Sequence, residues 1–128
     1  MTESHDAGVV EKFLQAVGAE DWSALETVLA PDVVWTLPGT SRISGEAHGA
    51  AAVVERAQAI TAAKITIEPQ HLHIGYRSIA VTVHNTAHRP DADLDEWLAI
   101  VFTCRAGKIA TIDTHISDVP MMERFFAV

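Results

Sequence analysis

Three side chains in the second half of the chain could move a proton near neutral pH: His84, Asp95 and His115. Histidine titrates in that range without help. An aspartate reaches it only when an apolar setting raises its pKa. Asp113 lies two residues before His115, so on a strand the two share a face and could pair as histidine and carboxylate. His71-x-His73 also puts two imidazoles on one side of a strand, and His84 could complete a three-histidine metal set. No fixed metal motif accompanies it, so neither metal nor cofactor is expected. There is no phosphate-binding glycine loop and no nucleophile elbow, and Ser41 and Ser44 have no evident base.

The surrounding pattern defines the elements that must hold these residues. Val9, Val10, Phe13, Leu14 and Val17 recur at helical spacing, which predicts a helix over 6–18 with a frayed start at 1–5 and Gly18 as its stop. Asp21 is placed to cap a short helix over 22–29. Val33–Leu37 predicts a strand closed by Pro38-Gly39, and a loop over 44–49 leads to an alanine-rich helix over 48–63. His48 sits where a loop or cap residue would. Strand alternation then takes over, with a bulge or edge position at Pro69. A turn at 75–78 sets Ile74 opposite Ile79, hence His73 opposite Ala80 and His71 opposite Thr82. A polar loop, His88 to Asp93, precedes two long strands over 94–119 that turn at Arg105–Lys108. Pro120 ends the last strand, and the apolar stretch after it should dock. Helices segregated from an antiparallel run predict an α+β fold, a curved antiparallel sheet wrapped around the N-terminal helices.

Bulk properties narrow the function classes. The 128 residues suit a single domain over 1–128. Apolar residues are 48% and charged residues 20%, which suits a folded globule. A net charge of −8 speaks against nucleic acid and acidic membrane surfaces as partners. The lone Cys104 reads as a small buried hydrophobe. No apolar stretch approaches a membrane span, and the start lacks the features of a signal peptide, so a cytoplasmic protein is expected.

Three stretches resemble the nuclear transport factor two-like superfamily, the cone fold shared with ketosteroid isomerase and SnoaL-like polyketide cyclases. They are AEDWSALETVLAPDVVW, LPGTSRISGEAHG and AGKIATIDTHISDV. The resemblance places Phe13, Leu37 and Ala99 where the isomerases carry a tyrosine, a basic aspartate and a protonated aspartate, which removes steroid-type isomerisation. Thr82-Val83-His84 and Thr114 stand where the epoxide hydrolases of this fold carry Arg, Asp and Asp, which removes that activity as well. Asp118 matches a recurrent position for which a capping role suffices. A SnoaL-like reading remains.

Facing follows from parity and from this resemblance. Ile112, Thr114 and Ile116 are expected to face the cone, with Asp113 and His115 outside. In the strand at 94–103 both parities are apolar. The isomerase correspondence turns Asp95, Trp97, Ala99 and Val101 inward, against Glu96, Leu98, Ile100 and Phe102. Phe13, Trp35, Leu37, Trp97, Ala99, Ile112, Thr114 and Ile116 then form the pocket wall. Asp95 is the carboxylate on the cone face, and its rival reading is a solvated strand-start residue beside Asp91 and Asp93. His84 and His115 fall on the outer face, where an interface or solvent role competes with proton transfer. A strand apolar on both sides implies a covered outer face, hence a homodimer. The expected function is cofactor-independent acid-base chemistry, a cyclisation, isomerisation or dehydration of a small apolar carbonyl compound. The alternative is a non-catalytic ligand-binding or dimeric interaction module of the same fold.

Overall fold

The computed structural model describes residues 2–127. Helix α1 (Thr2–Ala19) packs by Val10, Phe13 and Ala16 into the core, and α2 (Trp22–Thr27) follows at once. Asp21 caps α2 by accepting the Ala24 amide at 3.2 Å, as the residue type predicts. The helix α1 begins before the expected start, so residues 2–5 are helical, and Gly18 lies inside it. The chain reverses instead at Glu20, which takes the left-handed conformation (φ 54°).

Strands β1 (Leu29–Leu37), β2 (Gly45–His48), β3 (Thr66–Ile74), β4 (Ile79–His88), β5 (Asp93–Arg105) and β6 (Lys108–Ile116) form one sheet in the order β2-β1-β6-β5-β4-β3. Helix α3 (Ala50–Ala62) separates β2 from β3, and α4 (Val119–Phe125) follows β6. All neighbours are antiparallel except β1 and β6, which run parallel. The stretch expected as a loop over 44–49 contains β2, a short strand whose Ala47 opposes Trp35. The stretch after Pro120 is the short helix α4, with Asp118 as its cap and Met122, Phe125 and Phe126 buried.

Two features fix the registers. Pro69 offers no amide, and the β3–β4 ladder shifts between Pro69 and His71. Between Thr103 and Cys104 the β5–β6 ladder shifts too, because Ala110 has no partner. Below that bulge Cys104 opposes Ile109, and above it Phe102 opposes Ile112. The core sits between the helices and the concave sheet face. Phe13 meets Trp35 edge-on at 6.4 Å and Phe102 at 5.2 Å, centroid to centroid.

Arg105 pairs with Lys108, so Ala106-Gly107 is a two-residue turn with both φ angles positive (53° and 78°). Such turns favour asparagine followed by glycine. Alanine at the first position carries a Cβ penalty, so Ala106→Asn is expected to raise the unfolding free energy by about 1 kcal/mol. Urea denaturation of the two proteins checks this.

Candidate functional site

The concave face lines a partly open cavity of about 140 Å³ whose wall is almost wholly apolar. Phe13, Leu14 and Val17 of α1, Trp35 and Leu37 of β1, and Met122 and Phe126 at the C-terminal end all contribute. Three polar side chains break that wall: Asn85, Glu96 and Thr114. All are deeply buried, with Glu96 only 3% exposed.

The ladder explains how a glutamate comes to be there. In β4, Ile79, Val81, Val83 and Asn85 are buried and the residues between them are not. Each lies directly opposite an even-numbered residue of β5, with Ile79 facing Phe102, Val83 facing Leu98 and Asn85 facing Glu96. Directly opposed residues share a sheet face. The inner set of β5 is therefore Leu94, Glu96, Leu98, Ile100 and Phe102, the reverse of the expected facing. Asp95, Trp97 and Ala99 lie on the outer face, with Asp95 largely exposed and Trp97 54% exposed. The physical cause is the bulge at Ala110. Without that extra residue, pairing from the turn would bring Trp97, Ala99 and Val101 onto the face of Ile112, Thr114 and Ile116; one residue reverses a whole strand.

Other expected residues are distributed as follows. Phe13, Trp35, Leu37, Thr114 and Ile116 line the cavity, while Ile112 is packed in the core away from its wall. His84 points outward, where its Nε2 meets Asp95 Oδ1 at 2.6 Å and its ring stacks on Trp97 at 4.0 Å with an interplanar angle of 4°. His115 also faces outward, 3.4 Å from Asp113 and well exposed. The histidines of β3 and β4 make no metal cluster, since among the described residues no three His, Cys, Asp or Glu side chains converge suitably.

Within the cavity, Asn85 Nδ2 donates to Glu96 Oε2 at 3.5 Å. Burial raises the Glu96 pKa from 4.5 to about 7; the Asn85 hydrogen bond works against that rise, and the negative charge of Asp118 adds to it. Asn85 Oδ1 and Glu96 Oε1 have no hydrogen-bond partner in the protein. Thr114 Oγ1 accepts from Trp35 Nε1 at 2.8 Å, which leaves its own hydrogen to donate. Ile100 opposes Thr114, so Thr114 is displaced from Glu96 by about 13 Å along the strands. Behind the wall lies Arg56, 9% exposed. Its guanidinium donates to the carbonyls of Trp35 (2.7 Å), Ser44 and Gly45 (both 3.2 Å), and it lies over the Trp35 ring.

Sequence reasoning missed Glu96 and Asn85. The signal that identifies them is the loop His88–Asp93. Closing it symmetrically pairs Ile79 with Phe102 and sets the facing of β5 from the unambiguous alternation of β4.

The raised pKa carries a stability signature. Between about pH 4.5 and 7 the native state holds a proton that the unfolded chain has released. Stability from this group is complete below 4.5 and falls as pH rises through 7. Glu96→Gln keeps the shape and removes the charge, so its stability relative to the parent should grow by up to about 3 kcal/mol between pH 4 and pH 8. Denaturant titrations at the two pH values read this directly.

Comparison with known proteins agrees with this architecture. Bal32a, from a soil-derived mobile gene cassette, superposes with a TM-score of 0.91 at 22% identity, covering 98% of this chain and 99% of that one. An NTF2-like protein of Burkholderia xenovorans superposes with a TM-score of 0.83 at 22% identity, covering 96% of each chain. An LEH-like epoxide hydrolase of Mycobacterium tuberculosis does so at 0.71 and 17% identity, over 97% of this chain and 90% of that one. At these identities the likeness speaks for the fold. No curated protein sequence matches the chain. The sequence model of the SnoaL-like domain matches residues 10–112, most of the chain, and the protein belongs to that family.

Proposed function

We propose that the protein is a small-molecule enzyme in which Glu96 transfers a proton to and from a carbonyl compound held in the cone. The observation that carries this reading is a single carboxyl group buried in a cavity that is apolar apart from it, Asn85 and Thr114, with its pKa brought to about 7 by that burial. A group so tuned is present both as acid and as base near neutral pH, which is what proton transfer in both directions requires.

The chemistry follows from Glu96 alone. Its carboxylate takes a proton from the carbon beside a carbonyl, and the electron pair of that C–H bond moves onto the carbonyl oxygen. The resulting carboxylic acid returns the proton. Delivered to a second carbon, it gives an isomer. Delivered to a departing hydroxyl, it releases water. Delivered to the alkoxide formed when the enolate carbon adds to another carbonyl, it completes a cyclisation. Asn85 holds one carboxylate oxygen and leaves the other free of any protein partner. A non-catalytic binding module would need only the apolar wall, and the buried, costly Glu96 weighs against it.

A homodimer with a cytoplasmic setting belongs to the same proposal. Trp97 and Ile74 are more than half exposed on the sheet, and Ala99 lies beside Trp97 on the outer face. A second copy covering that face would bury them.

Two experiments test these readings. In D2O the protein should catalyse deuterium exchange at the α-carbons of cyclohexanone, with a rate that rises with pH through about 7. Glu96→Gln should lower it by roughly a hundredfold or more while the circular dichroism stays unchanged. Equal rates in the two proteins would remove Glu96 as the acid-base group. Sedimentation should give a dimer at micromolar concentration and a monomer for Trp97→Asp; a monomeric parent protein would refute the dimer.

A further inference from the structure

The cavity is specific about the size and polarity of what it takes. At about 140 Å³ it is close to the engineered cavity of roughly 150 Å³ that holds one benzene ring. A fused polycycle is too large to lie wholly inside it. Two of the residues that line it each carry a buried polar atom with no partner in the protein, Asn85 Oδ1 and Glu96 Oε1. Buried polar atoms are seldom left so, because each forfeits the hydrogen bond it would make to water.

Their roles are not equivalent. Asn85 spends an Nδ2 hydrogen on Glu96 Oε2, so its unpartnered Oδ1 remains as an acceptor only. When Glu96 is neutral and Oε2 serves as the accepting carbonyl oxygen, the proton resides on Oε1, which is then a donor. Asn85 and Glu96 are directly opposed across the β4–β5 ladder. The wall thus presents one acceptor and one donor side by side, with hydrocarbon around them.

We propose that the cone selects a single-ring compound bearing a hydroxyl or N–H group next to a carbonyl, the donor meeting Asn85 Oδ1 and the carbonyl meeting Glu96 Oε1. This rests on the cone being the substrate site and adds which substrates it admits. It excludes simple hydrocarbons, which leave both atoms unpaired, and polycyclic ketones, which do not fit. A site built to hydrogen-bond a donor discriminates strongly against analogues that lack it.

Binding of model compounds to the full chain tests the proposal, read from chemical shifts of the Asn85 side-chain amide and the Trp35 indole. The compounds are 2-pyridone, N-methyl-2-pyridone, toluene and the tricyclic lactam phenanthridinone. 2-Pyridone should bind at least tenfold more tightly than each of the others. Asn85→Leu should erase the gap between the two pyridones. Equal affinity of 2-pyridone with N-methyl-2-pyridone or with toluene would overturn the polar part, since water alone would then satisfy the two atoms. Tight binding of phenanthridinone would overturn the size limit, and no binding of 2-pyridone at millimolar concentration would overturn the whole. The pyridone comparison within the parent protein stands even if Asn85→Leu fails to fold. Loss of this selectivity with cyclohexanone exchange intact refutes only the substrate class. Selectivity without α-deuterium exchange of 2-hydroxycyclohexanone, which carries both groups on one ring, refutes only the acid-base role.

Discussion

One unpaired residue in β6 decides what faces the cone. Ala110 has no partner in the β5–β6 ladder, and the register on its far side is displaced by one. Strand side chains alternate between faces, so a displacement of one exchanges inside for outside. The helices then close over Leu98, Ile100 and Phe102 rather than over Trp97, Ala99 and Val101. Both sets are apolar enough to pack, so hydrophobicity alone does not choose between them. The choice carries Glu96 inward and turns Asp95 outward.

Placing a carboxyl group in that wall is costly, and the structure offsets the cost only in part. Asn85 supplies one long hydrogen bond, and Asp118 adds repulsion to the burial. The balance leaves Glu96 able to hold or release its proton near neutrality. A shorter, better-satisfied pairing would have fixed the charge permanently. A wholly apolar wall would have removed the group. The same incomplete pairing leaves Asn85 Oδ1 and Glu96 Oε1 without partners, so the tuning of the acid and the proposed recognition of a ligand share one cause.

Most of the architecture was legible in the residues, and the site was not. Helical spacing at Val9, Val10 and Phe13, the caps at Asp21 and Asp118, the break at Pro69 and the turn at Arg105–Lys108 act locally, and their signals lie within a few positions. Strand β2 escaped notice because four residues joined to a distant Trp35 carry too little alternation of their own. The facing of β5 escaped because it depends on two registers at once. The symmetric loop before it gives one, and a bulge that leaves only Ala110 as a trace gives the other. Conspicuous polar residues misled for a related reason: on the outer face His84 pairs with Asp95 and His115 lies near Asp113, whereas Glu96 belonged to the set that the isomerase correspondence turned away from the cone.

The Arg56 guanidinium has a consequence for the molecule as a whole. It is one of nine basic residues in a chain of net charge −8, and it lies inside, bound to carbonyls instead of to a carboxylate. Its charge is thereby withdrawn from the surface, as is that of the equally buried Glu96, so the surface keeps the acidic balance that the composition indicates. The field outside the cone repels anions before they arrive. Neutral molecules cross it freely, and those are the species that a pocket of hydrocarbon with a single protonatable group is able to hold. The excess of exposed carboxylates thus makes the solvent side of the protein a filter that acts ahead of any contact with the wall.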